Sequence, residues 1–116
     1  SWLIVGSDRI TANGDVANKI GTYSHALSAN YHNIKVMVVA PASTIDMTIK
    51  SGKKIPIENR PSNEIMTFET SKTIANQIEI LNPAFDITPS SLVDYIVTEK
   101  GIIHKPNAEK MHAIFG

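Results

Sequence analysis

The sequence predicts an α/β domain built on a mostly parallel sheet with flanking helices, and three observations carry that prediction. Ile34 to Ala40 (IKVMVVA) is β-branched and almost wholly apolar, as in a parallel strand covered on both faces. Leu3-Ile4-Val5 is a second apolar run, stopped by Gly6. Between them lies a stretch with helical spacing, so strand, helix and strand follow one another as a βαβ unit with a right-handed crossover.

The first strand delivers Asp8 to its carboxyl end, where α/β proteins build ligand sites. A loop holding Asn13-Gly14 follows, and the pattern then predicts a helix from near Asp15. Val16, Ile20, Tyr23, Leu27 and Tyr31 recur at the interval of one helix face, which should lie on the sheet, with Asn18, Lys19 and Thr22 opposite. Asp15 suits the cap or first turn. Lys19 opposes the helix dipole at a cost of a few tenths of a kcal/mol. It is explained either by an anion bound beside it or as a solvated lysine on an exposed face.

Tyr31-His32-Asn33 closes the helix, and Pro41 stops the strand that follows. Ser43, Thr44 and Asp46 leave at the same sheet edge as Asp8, where they either face a ligand or form local turns with their own backbone. Met47 to Lys54 reads as a loop, Ile55 to Glu58 as a short extended piece, Pro61 as the opening of a one-turn helix over 62–65, and Gln77 to Ile80 as a half-buried strand. Asn82 to Pro89 (NPAFDITP) reads as a loop held rigid by two prolines. Asn82 and Asp86 in it are secondary site candidates, or else they bond the loop's own backbone. Ser90 or Ser91 then caps a helix through Ile96. Val97 to Ile103 is a last strand or extended segment with a turn at Lys100-Gly101, and Asn107 to Phe115 is a weakly helical, mobile tail.

Lysine and arginine number 11, as do aspartate and glutamate, so the formal net charge is zero, which disfavours an electrostatic nucleic-acid or membrane surface. There is no cysteine, hence no disulfide or thiolate chemistry in this chain. The four histidines are scattered, with no metal-ligand spacing, and no Walker loop, GxGxxG or GxSxG motif is present; neither metal nor cofactor is expected. The apolar runs are too short to span a bilayer and the start lacks signal-peptide features, so the expected location is cytoplasmic. Ser1-Trp2 runs straight into a core strand, from which the chain is expected to be the carboxyl-terminal portion of a larger domain.

Several motifs stand in a specific order: VGSDRITANGDVANKIGTYSHAL (Val5 to Leu27), APASTID (Ala40 to Asp46), IPIENR (Ile55 to Arg60), NPAFDITP and VTEKG (Val97 to Gly101). Together they resemble the methylthioribose-1-phosphate isomerase family, which is related to the regulatory subunits of the nucleotide-exchange factor of translation initiation. The resemblance implies a Rossmann-like domain, a phosphorylated sugar substrate and a homodimer. It also implies that Asp8 is the acid/base carboxylate and that Asn18 and Lys19 bind substrate. A catalytic cysteine, phosphate-gripping arginines and a helical domain are implied to lie in an amino-terminal part that precedes this stretch. Two alternatives stay open, a non-catalytic regulatory subunit and a ribose-1,5-bisphosphate isomerase. Asp8 separates the first from the enzymes, because the regulatory subunits depart from that residue, and the STID stretch separates the second.

Overall fold

A computed structural model describes residues 1–55 and 85–116. Asn82, the extended piece from Pro56 onward, the turn at 62–65 and the strand at 77–80 lie outside the described residues. The expected α/β architecture is present. Strands β1 (Trp2–Val5), β4 (Lys35–Val39), β7 (Tyr95–Thr98) and β8 (Gly101–His104) form one four-stranded sheet in the order β1-β4-β7-β8. β1 and β7 both run parallel to β4, and β8 closes the edge antiparallel to β7. Gly101, at φ 151°, makes the expected turn between the last two.

A second sheet departs from the sequence reading. Residues assigned to the start of a helix form β3 (Val16–Lys19), which pairs antiparallel with β2 (Arg9–Thr11) and with β6 (Phe85–Thr88); β5 (Ile45–Asp46) completes the order β5-β2-β3-β6. The cause is local and tertiary together. Gly14 adopts φ 92°, Thr11 N–H donates to the Asp15 carbonyl at 2.9 Å, and the Asn13-Gly14 loop closes a hairpin instead of capping a helix. β6 then pairs residue for residue from Val16↔Thr88 to Lys19↔Phe85. The NPAFDITP segment is accordingly a strand over Phe85–Thr88, not a loop throughout.

Helix α1 (Thr22–Tyr31) begins only after Gly21, which sits at φ 107°. Its buried residues are Thr22, Ala26 and Ala29, and the two alanines pack with Val36, Leu3, Ile34 and Leu92. The expected apolar face is turned outward: Tyr23, Leu27 and Tyr31 are exposed, Tyr31 at 83%. Small side chains let the helix axis approach the sheet closely, and that packing overrides the wider apolar stripe. Ser90–Leu92 is a single 3₁₀ turn, and the residues expected to continue it as a helix form β7. Tyr95 to Thr98 are strand formers placed between β4 and β8, so ladder pairing on both sides wins. The carboxyl-terminal stretch is a formed helix, α2 (Ala108–Phe115), in which the Asn107 side chain accepts from Lys110 N–H at 2.8 Å and Met111 is fully buried.

The two sheets share one core. Ile10 and Val16 from the second sheet meet Val38, Ile96 and Ile103 from the first, with Met111 of α2. Full burial of side chains such as Ile10 and Ile96 contributes about 1.5–3 kcal/mol each. The opposite face of the parallel sheet carries Trp2, Ile4, Val39 and Ile102, all exposed.

Candidate functional site

The loops that leave β1 and β4 emerge at the same sheet end and are joined there. Ser7 Oγ donates to Thr44 Oγ1 at 3.2 Å, and Thr44 Oγ1 donates to the Pro41 carbonyl at 2.9 Å. Glu99, in the β7–β8 turn, accepts from Ala42 N–H at 2.9 Å, which lowers its carboxyl from the ordinary value and pins the 3₁₀ turn Ala42–Thr44. Beside this junction, Asp8 N–H donates to the Ala17 carbonyl at 2.8 Å. The β2–β3 hairpin thus brings exposed Asp8 next to the strand that ends in Asn18 and Lys19.

Asn18 and Lys19 lie on β3, not in the first turn of a helix. Successive strand residues project to opposite faces, so they can reach one ligand only around the end of β3. Asn18 Nδ2 donates to Thr22 Oγ1 at 3.2 Å, and Thr22 Oγ1 donates to the Lys19 carbonyl at 2.7 Å. Lys19 is exposed.

Asp86 sits opposite Asn18 in the β3–β6 ladder. Its carboxylate accepts from Gly21 N–H at 2.8 Å and Tyr23 N–H at 3.2 Å, so it caps α1 from a distant strand. The anion that the helix start needs is therefore supplied within the chain. This removes the dipole argument for an anion bound beside Lys19.

Thr44 is brought into the junction, whereas Asp46 is engaged one step away. Thr48 donates to Asp46 through its hydroxyl and its N–H, and Arg9 approaches to 4.0 Å. The two Thr48 bonds, with the Arg9 guanidinium adding to them, hold the Asp46 carboxyl below its ordinary value. Ser43 is exposed on the 3₁₀ turn.

Three residues hold places that the sequence reading did not assign to them. Asp15 caps no helix at its own position; its carboxylate accepts from Gly52 N–H and Ser90 N–H, both at 2.8 Å, tying two 3₁₀ turns to the hairpin. Thr22 accepts from the Asn18 side chain. Asp94 is buried between Val36 N–H at 2.8 Å and Lys105 Nζ at 3.0 Å. Burial pushes its carboxyl up, but these two donors outweigh burial and hold it below the ordinary range. The amides that Asp15 and Asp94 accept from lie 37 to 75 residues away, which leaves no local signal beyond the carboxylates themselves. Among the described residues, no group of three or more His, Asp or Glu side chains is arranged to hold a metal ion, and no helix is long and apolar enough to cross a membrane.

Comparison with known proteins places these residues in a wider set. The initiation factor 2 subunit family matches residues 1–105. A Pseudomonas aeruginosa protein named methylthioribose-1-phosphate isomerase is 53% identical over 114 residues, covering 98% of this chain and 32% of its own length. The crystal structure of 5-methylthioribose 1-phosphate isomerase from Pyrococcus horikoshii superposes with a TM-score of 0.75 at 47% identity, covering 97% of this chain and 31% of that one. That of the translation initiation factor eIF-2B subunit delta from A. fulgidus gives a TM-score of 0.65 at 40% identity, covering 93% and 32%. The chain spans about a third of the length of the curated relatives it matches.

Proposed function

The chain belongs to the initiation factor 2 subunit family, and from that premise we propose that it contributes part of the active site of a sugar-phosphate aldose–ketose isomerase acting on 5-methylthioribose 1-phosphate. The observation that supports this reading is the Asp8 N–H···O Ala17 bond, which sets the Asp8 backbone beside the Asn18-Lys19 strand end at the carboxyl edge of a parallel sheet.

The substrate is a ring-closed aldose whose anomeric oxygen is blocked by phosphate. Conversion to the ketose requires ring opening and movement of hydrogen from C2 to C1. Asp8 protonates the ring oxygen and returns as the base, while Asn18 and Lys19 hold hydroxyl or phosphate oxygens. Asp8 is exposed in this chain, so the water exclusion that acid/base chemistry favours comes from the substrate and from whatever closes over the crevice. The catalytic thiol and phosphate-gripping arginines implied by the family resemblance belong to the two-thirds of the relatives that this chain does not match. A homodimer, a cytoplasmic location and a role in methionine salvage belong to the same proposal.

The test is a chimera in which this chain replaces the matched 114 residues of the Pseudomonas aeruginosa relative. Turnover of methylthioribose 1-phosphate is expected, and Asp8→Asn is expected to cut it by at least ~100-fold with affinity kept within about tenfold. A folded but inactive chimera would favour the regulatory-subunit reading, for which the likeness to the A. fulgidus initiation factor speaks. Near-normal turnover of the Asp8→Asn variant removes Asp8 from the mechanism.

A further inference from the structure

Resting on the reading of Asn18 as a ligand contact, we infer that Thr22 is a positioning residue that fixes the Asn18 amide with its carbonyl oxygen outward, so that the end of β3 recognises a ligand hydroxyl there and leaves anionic oxygens to Lys19.

A threonine hydroxyl has one proton. Thr22 gives it to the Lys19 carbonyl at 2.7 Å, so toward Asn18, at 3.2 Å, the hydroxyl oxygen accepts. Asn18 must therefore direct its NH₂ group inward, and the network fixes which end of an otherwise ambiguous amide faces out. Thr22 is 7% exposed, so little water is at hand to replace either bond. The same corner is clamped a second time by Asp86 on Gly21 and Tyr23 N–H, which restrains the turn that carries both partners.

Among the described residues none donates to Asn18 Oδ1. An outward carbonyl oxygen accepts from a hydroxyl and repels a phosphate oxygen. A sugar phosphate offers both groups, and the two adjacent side chains divide them: Asn18 takes the hydroxyl, Lys19 the charge. Had Thr22 been a valine, the amide would be free to flip and this discrimination would be lost.

The experiment follows the Asn18 side-chain NH₂ resonance of the ¹⁵N-labelled full chain during titration with ribose 1-phosphate and, separately, inorganic phosphate. In the unsubstituted chain ribose 1-phosphate is expected to move that resonance and inorganic phosphate to leave it in place. Thr22→Ser should keep both the resonance and the affinity. Thr22→Val should shift the resonance and weaken ribose 1-phosphate by about fivefold to tenfold, the scale of one hydrogen bond, with inorganic phosphate changed less than twofold. Equal loss for both probes, no loss for either, or an Asn18 resonance moved equally by inorganic phosphate overturns the inference. The last of these is read without any variant, so it stands even if Thr22→Val does not fold. Ribose 1-phosphate binding that leaves Asn18 untouched instead overturns the reading of Asn18 as a ligand contact.

Discussion

Replacing Asp86 by alanine separates a helix cap from a substrate contact. The carboxylate accepts two backbone N–H groups at the start of α1, from Gly21 at 2.8 Å and Tyr23 at 3.2 Å. Loss of a capping side chain costs about 0.5–2 kcal/mol, and hydrogen bonds to a charged group about 1.5–3 kcal/mol each before solvent screening. Asp86 is half-buried and Tyr23 exposed, so water recovers part of this and a loss of about 1.5–2.5 kcal/mol is expected. Asp86→Asn keeps an acceptor oxygen and loses only the charge facing the helix dipole, about 0.3–1 kcal/mol. The assay is urea unfolding followed by far-ultraviolet circular dichroism, with the two variants and the unsubstituted chain compared at equal m. If Asp86→Ala leaves the midpoint in place while abolishing ribose 1-phosphate binding, the cap is not its role and the carboxylate belongs to the ligand site.

Lys19→Ala is expected to weaken ribose 1-phosphate by roughly 1.5–3 kcal/mol, the scale of a charge-assisted bond. An unchanged dissociation constant by calorimetry would make Lys19 a solvated lysine. Asp94 predicts a pH dependence. Because its folded-state value lies below the ordinary 3.8, it stabilises the chain above that pH, and the contribution fades as pH falls through the lower folded value. Unfolding free energies from pH 6 to pH 2 should therefore fall less steeply for Asp94→Asn than for the unsubstituted chain; parallel curves would refute the assignment. Asp94→Ala leaves Val36 N–H without its acceptor and should cost about 2–4 kcal/mol at neutral pH, most of it from the stranded buried amide.

The α/β class was legible because its signals are local. The apolar runs at Leu3 to Val5 and Ile34 to Ala40 can be little other than covered strands, and the turn at Lys100-Gly101 announces itself by a glycine that must take positive φ. Asp8 could be placed at a strand end for the same reason. What the sequence could not decide was anything that depends on a partner remote in the chain. VANK carries an apolar spacing continuous with the helix after it, and it becomes a strand because the Asn13-Gly14 hairpin and β6 together offer it ladders on both sides. The face of α1 that meets the sheet is chosen by Ala26 and Ala29, since close approach outweighs the larger side chains at Tyr23, Leu27 and Tyr31. The roles of Asp15, Asp86 and Asp94 differ although each is one carboxylate near a loop: which backbone amide points at it is set by elements 37 to 75 residues away. Periodicity and turn chemistry act over a few residues and are written in the sequence; hydrogen-bond satisfaction and packing act over a few ångströms, and only the folded chain determines which residues those are.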